Sequence, residues 1–112
     1  MAKNKAPKFY LELRDNHPDV FSALEGLGAA TRAAGPLDER TSHLVQLAAA
    51  AAVRSEGAVH SHVRRALAAG VKPKEIEHTL LLLLSTIGMP QVVAALSWAH
   101  DMMGPGKKNK KK

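Results

Sequence analysis

Apolar residues recur every three or four positions along this chain, and no stretch alternates apolar and polar as a half-buried strand would. The pattern predicts helices throughout. Phe9, Tyr10 and Leu13 mark one face of a short first helix within PKFYLELRDN. Val20, Phe21, Leu24 and Leu27 stripe a second, HPDVFSALEGLGAATRAAG, with Asn16 or Asp19 as its cap and Pro18 in its opening turn. Gly35-Pro36 ends it, since proline cannot continue a helix and glycine accepts a left-handed turn. A third helix starts at Asp38 and runs through LDERTSHLVQLAAAAAVRS, with Asp38 and Glu39 at the positive end of its dipole. The five alanines Ala48 to Ala52 favour the helix and let a neighbour approach closely. A fourth, opening at SEGAVHSH, ends at Gly70 as a C-cap. A fifth, PKEIEHTLLLLLSTIG, starts at Pro73 and stops at Gly88 and Pro90. A sixth, PQVVAALSWAHDMM, stops at Gly104. The expected architecture is an all-α bundle of about six helices.

Thr79 to Ala99 carries no charge, which raises the question of a membrane span. Gly88, Pro90 and Gln91 in mid-run read instead as the turn between two helices, so no membrane is expected. Leu80 to Leu84 cover every side of their helix, which predicts burial all round, in a bundle core or a subunit interface.

The formal charge of +6 sits at the ends. Lys3, Lys5 and Lys8 precede, and Lys107, Lys108, Lys110, Lys111 and Lys112 follow, a body that holds eight basic and ten acidic groups. The chain therefore divides into a flexible basic N-terminus (1–8), one helical domain (9–103) and a disordered lysine-rich tail (104–112). The body has no basic face to track a phosphate backbone, and the tail has no interleaved aromatics to stack bases, so nucleic acid is not the expected partner. There is no cysteine. Disulfides, thiolate catalysis and cysteine-ligated metals are excluded. No signal peptide is apparent at the N-terminus, and the expected compartment is the cytoplasm.

On the fourth helix, with about 100° of turn per residue, Ser55, Ala58, Ala66 and Ala69 fall near the direction of His62. Arg65 lies beside this narrow small-residue face, and Arg54 further round. His60 points to the far side, so the H-x-H pair cannot chelate one ion. His17, His43, His78 and His100 are scattered, and no metal or cofactor is expected.

The run LDERTSHLVQLAAAAAVRSEGAVHSHVRRALAAGVKPKEI, followed by STIGMPQVVAALSWAH, resembles the carboxymuconolactone decarboxylase family, which includes the alkylhydroperoxidase D-like proteins. The likeness covers nearly all of residues 9–103. The resemblance implies a homo-oligomer, trimer or hexamer. It aligns His62 with the family histidine, Ser55 and Ala58 with the two redox cysteines, and His43 with a proton-moving glutamate. A hydroxyl ionises too weakly to replace a thiolate, and oxygen does not cycle through a disulfide, so thiol peroxidase activity is excluded. The family's namesake reaction, decarboxylation of a small unsaturated lactone acid, needs no thiol. For it, His62 would be the general acid, Arg65 or Arg54 would grip a carboxylate, and His43 would approach the same pocket, with Ser55 and Ala58 lining it. Against this stands a non-catalytic oligomeric binding or structural protein that kept the fold and lost the redox site.

Overall fold

The computed structural model describes residues 7–104, and the remainder of the two basic ends lies outside them. The described residues form helices and no strand. They divide into two compact units, one up to Glu39 and one from Arg40 onward.

The first unit is a pair of helices, α1 (Lys8–Asn16) and α2 (Pro18–Ala33). Tyr10 and Phe21 lock them with an edge-to-face ring contact, centroids 5.4 Å apart. The cap of α2 is His17, neither Asn16 nor Asp19. His17 caps with its backbone only, and Pro18 at the first helical position sets the entry angle. The predicted stripe Val20, Leu24 and Leu27 forms at the expected spacing, but all three residues stay exposed.

The second unit holds α3 (Glu39–Ala52), α4 (Glu56–Ala68), α5 (Pro73–Leu81), α6 (Leu84–Ile87) and α7 (Met89–Met103). Its core gathers Leu47 from α3, Val59 and Val63 from α4, Ile76 and Leu80 from α5, and Ala95 and Ala99 from α7. Each fully buried Leu, Ile or Val contributes about 1.5–3 kcal/mol relative to exposure. Ala50, Ala51, Ala66, Ala95 and Ala99 are all buried, and their small side chains bring the helices close.

Two turns place the helix carrying the candidate residues. After α4 the chain closes on itself through two bonds, Gly70 N–H to Leu67 O at 3.0 Å and Val71 N–H to Ala66 O at 3.0 Å. Gly70 has φ +95°, which only glycine adopts cheaply, and Val71 then buries beside Ala66. Before α4, the end of α3 repeats the arrangement. Arg54 N–H bonds Ala51 O at 3.1 Å and Ser55 N–H bonds Ala50 O at 3.2 Å. The left-handed position here is occupied by Arg54, at φ +60°.

The fifth helix, which the sequence predicts as one element, is not continuous. The helix breaks at Leu82 and Leu83, so one long fifth element becomes α5 and the single turn α6. Leu80 is fully buried, whereas Leu81 and Leu82 are 42% and 63% exposed. The break at Leu82 and again at Gly88 divides the charge-free stretch, and no helix among the described residues is long and apolar enough to cross a membrane.

Candidate functional site

Ser55 is the N-cap of α4. Its extended backbone frees the hydroxyl oxygen to accept the Ala58 N–H at 3.2 Å, satisfying one of the donors that a helix start leaves open. Ser55 and Ala58 are half-buried, as is His62 one turn on. The fully buried stripe of α4 is Val59, Val63 and Ala66. Of the small-residue face read from the sequence, Ala66 therefore joins the core, while Ser55, Ala58, His62 and Ala69 lie at the border between interior and solvent. His62 has its Nδ1 buried, and the residue interacts further within the chain.

His43, on α3, is almost fully enclosed. Arg65 is exposed in the last turn of α4. Arg54 stands before the first turn, so a rise of 1.5 Å per residue sets the two arginines' backbones about 15 Å apart along the helix. Arg65 follows His62 by three positions, the spacing at which two side chains meet on a helix surface.

Arg54 belongs instead to a pocket of about 240 Å3, open to solvent, lined by Ala51, Arg54, Pro90, Gln91, Ala94 and Trp98. Its Nη2 donates to Gln91 Oε1 at 3.0 Å, and Gln91 Nε2 reaches Ala52 O at 3.4 Å. His43, His62 and Arg65 are not among the lining residues. Of the candidate site residues singled out in the sequence, Arg54 lines this pocket. Sequence reasoning missed Gln91, Trp98 and Pro90 as neighbours of Arg54. They lie on α7, and nothing in local spacing announces a contact between α7 and the end of α3.

His60 turns away from His62, as the helical angle requires. Its Nε2 pairs with Asp101 Oδ2 at 3.0 Å and lies 3.9 Å from Glu56 Oε2. The pair ties α4 to α7, the two elements most extensively packed together. Glu56, His60 and Asp101 have donor atoms within 4.8 Å of one another, close enough to share a cation. In the first turn of α5, Glu75 accepts the Lys72 N–H at 2.8 Å and the Arg40 Nη2 N–H at 2.7 Å. The Lys72 bond is the largest cause holding its carboxyl below the ordinary value, and the Arg40 guanidinium adds to it.

Residues 18–101 match the model of the carboxymuconolactone decarboxylase family, most of the chain. The protein belongs to this family. No curated protein and no solved structure shows significant similarity to it. Family membership and the absence of cysteine together mean that this member carries the fold without the thiol pair.

Proposed function

We propose that this family member is a cofactor-free lyase acting on a small carboxylic acid, with His62 as general acid and Arg65 as the carboxylate partner. The observation that carries the reading is the position of His62. It sits half-buried on the same border face as Ser55 and Ala58, while the Ser55 hydroxyl is committed to capping the helix. A proton donor at the edge of a low-dielectric interior is suited to protonate a carbanion as CO2 leaves. An arginine three residues on can hold a second carboxylate in a bidentate grip. In balance, the C–CO2 bond breaks, its electron pair stays on the carbon skeleton, and the proton from the imidazolium forms the new C–H bond. Water then restores that proton. His43, almost fully enclosed, supports proton transfer from within and does not itself touch the substrate. The test is CO2 release from small unsaturated lactone acids. His62→Ala should lose turnover with folding intact, and Arg65→Ala should chiefly raise KM. Undiminished turnover in His62→Ala removes His62 from the mechanism.

A second reading is a non-catalytic oligomeric binding protein. It draws on exposed Leu81, Leu82, Met89 and Val93, apolar side chains at the end of α5 and the start of α7. In both readings these side chains supply the contact between copies. Light scattering on Leu82→Lys tests it, with a smaller assembly expected.

A further inference from the structure

We propose that the cavity beside Arg54 is a binding site for a small planar carboxylate, an aromatic or conjugated acid, distinct from the His62 face.

The backbone of Arg54 is the first ground. Arg54 occupies the left-handed position that closes α3, where glycine is the least costly residue. An L-residue there carries about 1–2 kcal/mol of strain. Strain of this kind persists where the surrounding structure over-determines it, and it clusters at active sites and ligand clamps. The Arg54 guanidinium is drawn across to α7 by Gln91, and Gln91 is itself steadied by the last carbonyl of α3. That bond engages one of the five N–H donors of the guanidinium, and a carboxylate needs two.

The walls are the second ground. Ala51, Pro90 and Ala94 are apolar, and Trp98 offers an indole surface for a flat ligand. Arg54 is the one charged side chain among the lining residues, so the local potential favours an anion. Pro90 and Gln91 belong to the first turn of α7, whose dipole adds to that preference. The volume of about 240 Å3 is below the usual range for drug-sized ligands, about 300–1,000 Å3. The occupant is a one-ring or short conjugated acid. A single arginine matches one carboxylate better than a doubly charged phosphate.

Trp98 is the only tryptophan of the chain and lines this pocket, so its fluorescence senses a ligand there, and the pocket variants separate that signal from changes in core packing. The experiment is a titration of the full chain with benzoate, and with benzamide as the neutral isostere. A saturable change in Trp98 emission with benzoate, and none with benzamide, is expected. Arg54→Gly, which suits φ +60°, should keep the fold and weaken benzoate binding at least about tenfold, the loss of one charge-assisted contact. Ala94→Leu, which fills the cavity from α7, should abolish binding independently. His62→Ala should bind benzoate as the parent does, so this site and the lyase reading stand or fall separately. The proposal is overturned if benzoate and benzamide behave alike, if Trp98 emission does not saturate, or if either cavity variant binds benzoate unchanged.

Discussion

The Ser55 hydroxyl oxygen accepts the backbone N–H of Ala58 at 3.2 Å. These are the two positions at which the sequence resemblance puts the redox cysteines of thiol-dependent members, and this chain has no cysteine. In such a member the pair would exchange a disulfide. In this chain it is the two ends of a helix cap. The change removes one chemistry and leaves the local fold intact, because a serine oxygen is among the best acceptors for the open amides of a helix start.

Ser55→Ala should therefore cost stability without bearing on proton transfer at His62. Loss of a side-chain cap is worth about 1 kcal/mol, or a fall in Tm of roughly 4–8 °C for a domain of this size. Ser55→Asp and Ser55→Asn keep an acceptor and should melt near the parent. Circular dichroism melts of the three variants check this. If all three fall alike, the hydroxyl is not acting as a cap.

Much of the fold was legible because its punctuation is chemical. Gly70 and Pro73 bracket the turn between α4 and α5, and Gly88 with Pro90 opens α7. The divergence of His60 and His62 followed from the helical angle alone. What escaped is set by tertiary contact. The leucine run holds no glycine or proline, so nothing local marks the break at Leu82. The His60–Asp101 pair spans 41 positions, and Arg54 meets Gln91 across 37. Arg54 in a left-handed turn was hidden for another reason: the residue that usually announces such a turn is glycine, and it is missing there.

The leucine run makes a sharp contrast testable. Leu80 is fully buried among the core residues of the second unit, so Leu80→Ala should destabilise by about 2–5 kcal/mol. Leu82 is 63% exposed, and Leu82→Ala should stay within about 0.5 kcal/mol in the monomer. Urea unfolding at several protein concentrations separates the causes. A Leu82→Ala penalty that grows with concentration identifies the side chain as a contact between copies.

Glu75 contributes an acid-side pH dependence to the second unit. Its carboxyl titrates below the ordinary value of 4.5, held there first by the Lys72 N–H and then by Arg40. A carboxylate whose folded pKa is depressed stabilises the fold fully above its unfolded pKa. That contribution is lost as pH falls through the folded value. Glu75→Gln keeps an oxygen for Lys72 but gives up the charge that Arg40 meets. The parent should therefore exceed Glu75→Gln in stability at neutral pH, and the gap should close as pH drops below 4.5. Both side chains of the Arg40–Glu75 pair are about half exposed, so added salt should narrow the gap as well. Denaturant unfolding across pH and ionic strength measures both effects. A gap that stays constant with pH would mean that Glu75 holds the start of α5 by shape and backbone bonding, with its charge playing no part.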